Sequence, residues 1–331
     1  MNTDMLLLRR SDVTNLLSLP DCIDAMHEAF TMRSQGRALA TGLMHIDADG
    51  GEFHIKGGGL RMTPTYVGLK ANGGFFANHK TFGLPNIIGL IVLFDGHTGR
   101  PLAVMDSITI TLMRTAATTA LAARYLARPE STVATICGCG NQGRAQLTAL
   151  KLVLPELQHV FAWDTVSQAA AELASEMSRR LGIEVEAAAD LAAAARRSDI
   201  IVTCTPARRF FLRKELVRPG TFIAAVGADS PDKQELDPGL LASCKLVVDI
   251  VDQCAHVGEL HHALDAKVMT IEDVHGELGD IVDHKIAGRT SAEEIVVFDT
   301  TGSAIQDTAA AAMVYRKAVA QGLGTLVNLY E

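Results

Sequence analysis

No apolar run in the 331-residue chain reaches the ~18 residues that a membrane-spanning helix needs. Long runs of like charge are absent too. The 38 acidic and 30 basic residues are interspersed and leave a formal net charge of −8, so there is no basic face to track a phosphate backbone, which argues against nucleic-acid binding. The six cysteines (Cys22, Cys137, Cys139, Cys204, Cys244 and Cys254) include no C-x-x-C pair and read as free core thiols of a reducing compartment. The opening M-N-T-D-M-L-L-L-R-R lacks the basic-then-apolar order of a signal peptide. These absences lead to the expectation of a cytoplasmic protein. With 48% hydrophobic and 21% charged residues, the chain has the composition of an ordinary globular protein and is long enough for two domains.

Residues 131–150 read S-T-V-A-T-I-C-G-C-G-N-Q-G-R-A-Q-L-T-A-L. Residues 132–137 are a short β-branched, apolar run suited to a strand buried on both faces, and the segment after Gly143 has helical spacing. Between them, Gly138 suits a tight turn, Gly140 lets backbone N–H groups approach a pyrophosphate, and Gly143 lets the helix pack on the strand. The helix N-terminus favours the anion. Chance alone would give this glycine pattern about 0.2 times in such a chain, so its context carries the weight. That context includes H-V-F-A-W-D, a second strand ending in Asp164, where a dinucleotide fold presents an acid to a ribose. Such an acid favours NAD(H) over NADP(H), because it would oppose a 2′-phosphate and Thr165 and Val166 bring no cation. The alternative is a structural strand–helix–strand unit whose Asp only begins a loop.

Upstream, a helix is expected over 20–36, then strands near 39–46, 52–55, 66–71, 87–94 and 101–105, forming a mixed sheet. Ser107 is expected to cap a helix running to about residue 127. Downstream, strands near 183–187, 199–205, 221–226 and 245–250 complete six, in the expected order 3-2-1-4-5-6. Residues 294–299 read as a further strand, and the Ala-rich helix after it is expected to return to the first domain.

Four positions stand out chemically. Asp229, in V-G-A-D-S-P after a strand's carboxyl end, reads equally as an acid–base group or a turn aspartate. Arg114, amid apolar neighbours, needs a partner, either a structural acid or a ligand. Lys70 suits a substrate carboxylate, or a solvated strand edge. Cys139, beside a helix N-terminus, is either a reactive thiol or a turn filler. His256, Glu259, His261 and His262 fit no zinc-site spacing, and no metal is expected.

Several stretches, in order and spacing, resemble the ornithine cyclodeaminase/μ-crystallin family: G-L-K (68–70), G-L-P-N (83–86), L-F-D-G-H-T-G-R-P-L-A-V-M-D, R-T-A-A (114–117), V-G-A-D-S-P-D-K-Q-E-L, V-G-E-L and F-D-T-T-G-S-A-I-Q-D. The resemblance implies an α/β protein: a doubly wound Rossmann NAD-binding domain (116–304) and an α+β substrate-binding and dimerisation domain built from both chain ends (1–115 and 305–331). It implies that Lys70 and Arg114 hold the carboxylate of a small amino or imino acid, with Asn86 on the substrate side, and that Asp229 is the general acid–base. It places Asn141, Gln142, Asp164, Thr205, Ala225, Val226, Gly227, Lys233 and Ser303 at the dinucleotide, and it implies a homodimer. One departure stands out. Where the family carries a Pro-Arg pair whose arginine also grips the carboxylate, this chain reads A-T-G-L-M-H-I, leaving His45 and Lys56 as candidates to stand in. Cyclodeaminases, ketimine or pyrroline-carboxylate reductases, alanine-type dehydrogenases and non-catalytic μ-crystallin-like binders all share the remaining pattern.

Overall fold

In the computed structural model, which describes residues 4–329, the run at 133–137 is a strand buried over four of its five residues. It sits inside an eight-stranded parallel sheet ordered Glu184–Ala187, His159–Trp163, Val133–Cys137, Ile200–Thr203, Phe222–Ala225, Val296–Asp299, Lys245–Val248 and Gly276–Glu277. The strand order corrects the expected 3-2-1-4-5-6. Val296–Asp299 enters between the fifth and sixth strands, because V-V-F-D is buried at all four positions and needs a neighbour on both edges. Cys137, Ile201, Ile223, Val248 and Val297 belong to one buried cluster. Each large aliphatic side chain fully buried there stabilises by about 1.5–3 kcal/mol. A parallel pair of short strands, Arg208–Leu212 with Gln234–Leu236, is an addition that the sequence patterns did not suggest.

The chain divides into two units, one running to Arg114 and resuming at Ser303, the other Thr115–Gly302. The parallel sheet belongs to the second. The first holds a seven-stranded mixed sheet ordered Thr325–Asn328, Asp4–Leu8, Pro101–Asp106, Ile87–Asp95, Tyr66–Gly74, Gly51–Leu60 and Gly42–Ala48. The helix Leu19–Ser34 starts on Ser18, whose hydroxyl accepts the Asp21 N–H, and buries Cys22, Ile23, Met26, Ala29 and Phe30 along one stripe. The helix Ala304–Gln321 also packs in this unit. Its first nine residues are all buried, and their small side chains let it lie close to the sheet. A Cβ on Gly68 would fall 2.5 Å from Thr308 Oγ1, and Thr308 donates to the Gly58 carbonyl (3.1 Å).

Ser107 opens the helix Ser107–Leu126 but does not cap it. Its hydroxyl is turned to the sheet and donates to Asn72 Oδ1 (2.5 Å), while Asp106 Oδ2 accepts the Thr109 N–H (3.0 Å). Among the described residues, no helix is long and apolar enough to cross a membrane.

The glycine turn gives a stability test. A Cβ on Gly143 would lie 2.2 Å from the Gly138 carbonyl oxygen, whereas one on Gly140 meets nothing within 4 Å. Gly143→Ala should therefore lose about 1–3 kcal/mol of unfolding free energy in urea, as overpacking does, and Gly140→Ala almost none. Equal losses would mean that helix and strand are not in this close contact.

Candidate active site

Two groups of residues carry the chemistry, one in each unit. In the unit spanning Thr115–Gly302, Gly138 takes φ +103°, a conformation open to glycine, and its N–H donates to the Trp163 carbonyl (2.9 Å). Gly140 occupies the N-cap of the helix Asn141–Val153 without a capping side chain, so the first N–H groups of that helix have no side-chain acceptor there. Gln142, in the first turn, has a buried carboxamide oxygen without a hydrogen-bond partner. This open space above Gly140, the glycine-only turn and the uncapped helix N–H groups fit the pyrophosphate of a dinucleotide.

Asp164 closes the turn from the second strand. One carboxylate oxygen accepts the Cys139 N–H (2.8 Å) and the other the Val166 N–H (2.9 Å). Cys139 lies beneath it with its thiol on the Trp163 carbonyl, and burial followed by the charge of Asp164 pushes that thiol up to about 12, against Arg144. Of the two readings of Cys139, the structure therefore supports the turn filler.

The turns after the fourth and fifth strands share one anchor. Glu235 accepts the Thr205 N–H and hydroxyl (both 2.7 Å) on one oxygen and the Gly227 N–H (2.9 Å) on the other. Burial raises its carboxyl above the ordinary range, against those bonds. Glu259 in turn accepts the backbone N–H groups of Glu235 (2.7 Å) and Leu236 (3.1 Å). Ala225 ends its strand fully inside, and Val226 donates to the Thr203 carbonyl. Just beyond, Lys233 Nζ donates to Asp229 Oδ1 (2.5 Å), with the Asp229 side chain 39% exposed. The three histidines at 256, 261 and 262 have separate partners: His256 meets the Asp252 carbonyl, His262 the Lys233 carbonyl, and His261 faces Asp265.

In the other unit the cations converge. Lys70 Nζ lies 2.6 Å from Asp307 Oδ2, Arg114 Nε 2.9 Å from Asp307 Oδ1, and Arg114 also donates to Gln306 Oε1 (3.0 Å). Lys56 stands directly opposite Lys70 in the strand register, so both side chains project from one sheet face. Lys56, Lys70, Arg114 and Asp307 are each 3–5% exposed. Burial, with Arg114 and Lys56 nearby, pulls the Lys70 ammonium down to about 7 against the attraction of Asp307. Burial alone would raise the Asp307 carboxyl; Lys70, Arg114 and Lys56 outweigh it and hold it below its ordinary value. Such a concentration of buried positive charge is suited to a small carboxylate.

The remaining candidates make other contacts. His45 contacts Asp47 (3.0 Å) and Glu52 (3.6 Å) near the tip of its hairpin, so Lys56 is the candidate that joins Lys70. Asn86 Oδ1 accepts the His79 N–H and serves its own loop. Ser303, at the N-cap position of the helix Ala304–Gln321, has a buried hydroxyl without a partner. Sequence reasoning gave no role to Gln306, Asp307, Glu235 and Glu259. For Gln306 and Asp307 a signal existed: they are polar residues leading an Ala-rich helix, where burial demands a counter-charge.

A model of the ornithine cyclodeaminase/mu-crystallin family matches residues 2–322. Among solved structures, an archaeal alanine dehydrogenase dimer with bound NAD is 37% identical, with TM-score 0.93 and coverage of 99% of this chain and 100% of that one. The Δ1-pyrroline-2-carboxylate reductase of Thermococcus litoralis, in complex with NADH and L-proline, is 33% identical, with TM-score 0.92 and coverage of 98% and 100%. The iminosuccinate reductase of Paracoccus denitrificans, in complex with NAD+, is 31% identical, with TM-score 0.90 and the same coverage.

Removing the counter-ion of the cluster should be costly. Asp307→Asn leaves Lys70 and Arg114 buried against a neutral group, and about 3–5 kcal/mol of unfolding free energy should be lost at neutral pH. Because the folded carboxyl titrates below its ordinary value of 3.8, the wild-type advantage is complete above that value until Lys70 begins to lose its proton near 7, and fades as pH falls through the lower folded carboxyl value. Denaturant unfolding at pH 7 and in acid measures both; a loss under about 1 kcal/mol at pH 7 would contradict a tightly paired cluster.

Proposed function

The chain belongs to the ornithine cyclodeaminase/mu-crystallin family, and from that footing we propose an NAD(H)-dependent enzyme acting at the C–N bond of a small amino or imino acid, by hydride transfer at its α-carbon. The observation that carries this reading is the buried set Lys56, Lys70 and Arg114 gathered near the carboxylate of Asp307. Lys70 and Arg114 grip the substrate carboxylate, and Lys56 supplies the cation that the missing Pro-Arg pair would have brought. Asp229 moves the proton at the substrate nitrogen, with Lys233 fixing its carboxylate. The nucleotide lies on the turn Gly138–Gly143, flanked by Asn141, Gln142, Asp164, Thr205, Val226, Gly227 and Ser303, and its nicotinamide supplies or accepts the hydride. NAD(H) is preferred over NADP(H), since the Asp164 carboxylate is pinned at the turn by two backbone N–H groups and would repel a 2′-phosphate.

Relatives that reduce imines or oxidise alanine favour net redox turnover over cyclodeamination, in which the hydride returns and no cofactor is consumed. The protein acts as a homodimer. One sheet face of the first unit leaves Met44, Leu69, Ile88 and Leu90 between 43% and 55% exposed, an apolar area that a second copy would cover, and the alanine dehydrogenase neighbour is itself a dimer. The six cysteines are free, in keeping with a cytoplasmic location.

Steady-state NADH absorbance with pyruvate plus ammonia, cyclic imino acids and ornithine tests the class. Consumption of NADH with an imine is expected; silence with every substrate together with no ammonia released from ornithine, while NADH binds, would leave only a binding protein. Asp229→Asn should bind NADH normally yet turn over about 10²- to 10⁴-fold more slowly. Undiminished turnover would remove Asp229 from the mechanism.

The carboxylate grip should also depend on pH. As pH rises through about 7 the Lys70 ammonium loses its proton, so the KM of the imino acid should increase while the NADH dissociation constant stays level. A KM flat from pH 6 to 9 would sink the assignment of Lys70.

A further inference from the structure

The hairpin of Gly42–Ala48 and Gly51–Leu60 carries a group that neither the cation cluster nor the nucleotide turn uses. The short link through Asp49 and Gly50, with Gly50 at φ +83°, sets a register in which His45 stands opposite His54 and Asp47 opposite Glu52. Strand alternation then puts all four side chains on one face. His45 Nε2 lies 3.6 Å from one oxygen of Glu52, and His54 Nε2 lies 3.0 Å from the other. The two imidazole rings meet edge to face at 4.8 Å. One ligand atom from each of His45, Glu52 and His54 can be chosen so that all lie within 4.8 Å of one another.

Donors held at about 2.0–2.2 Å from a tetrahedral Zn²⁺ are roughly 3.3–3.6 Å apart, so this group is within small side-chain rotations of a coordination sphere. Two imidazole nitrogens with one carboxylate oxygen are a donor set for Zn²⁺ and its transition-metal neighbours, whereas Mg²⁺ and Ca²⁺ take oxygen. The side chains are 39%, 26% and 16% exposed for His45, Glu52 and His54, which leaves an entry path. A second group, His159 with Glu184 and Glu186, has a single imidazole and more exposed carboxylates, at 70% and 47%.

We propose that His45, Glu52 and His54 form a binding site for a divalent transition-metal ion of the Zn²⁺ class, with a coordination position left open to solvent. Such an ion would clamp the two strands at the hairpin tip, two residues along the strand from Lys56.

Chelator-treated full-length protein, titrated with Zn²⁺ against a chromophoric competitor and with Co²⁺ by visible absorption, tests the proposal. One ion per chain is expected, with Co²⁺ d–d bands and no thiolate charge-transfer band. His54→Ala and Glu52→Gln should each weaken binding by more than about tenfold, the least that loss of even a supporting partner tends to cost. His159→Ala should leave affinity unchanged, and circular dichroism confirms that each variant is folded. The proposal is overturned by absence of saturable binding to the wild type, by a thiolate band pointing to Cys204 or Cys244, or by binding that survives both His45→Ala and His54→Ala. Binding lost only in His159→Ala would likewise overturn it.

Discussion

Asp307 holds Lys70 with one oxygen and Arg114 with the other, and the arrangement of the first unit follows from that double pairing. Two cations taken out of water would be prohibitive without a counter-charge at contact distance. Contact distance requires the helix Ala304–Gln321 to lie almost on the strands, and its alanines, with Gly58 and Gly68 beneath, permit that approach. The same pairing leaves positive charge concentrated on one sheet face, where Lys56 and Lys70 are cross-strand neighbours. A small carboxylate bound there would find its attraction little weakened by solvent.

The unit Thr115–Gly302 uses buried acids differently. Among the described residues, Glu235, Glu259 and Asp299 are matched not with cations but with backbone N–H groups: those of Thr205 and Gly227, of Glu235 and Leu236, and of Leu260. Burial raises all three carboxyls, Asp299 to about 7, and the charges of Glu235 and Asp299 add to it at Glu259. Glu235 ties the Thr205 and Gly227 turns to one side chain.

What the sequence revealed tracks how local the physics is. The strand, glycine turn and helix at 131–150 are adjacent in sequence, so spacing and glycine conformation were enough to read them, and Asp164 followed one helix later. The place of Val296–Asp299 in the sheet was not legible, because burial on both faces shows that a strand is interior without saying which strands flank it. Ser107 misled for a related reason: its pattern is that of a cap, but Asn72, 35 residues away, claims its hydroxyl. Arg114 was recognisable as needing a partner, yet that partner lies 193 residues further on, beyond any periodicity. The His45–His54 pairing lay between these extremes, since the Asp49-Gly50 turn and a period of two contain it once the hairpin is drawn.

The distance between Lys70 and Asp307 along the chain also bears on synthesis. A ribosome releases Lys70 and the strand bearing it long before it releases the acid that neutralises it, whereas every strand of the parallel sheet lies within one contiguous segment. Until the alanine helix emerges, the glycine-lined strands have nothing to cover them and their lysines must stay hydrated. The nascent polypeptide therefore carries an uncovered sheet for most of its translation, and chaperones would meet it in that half-built state.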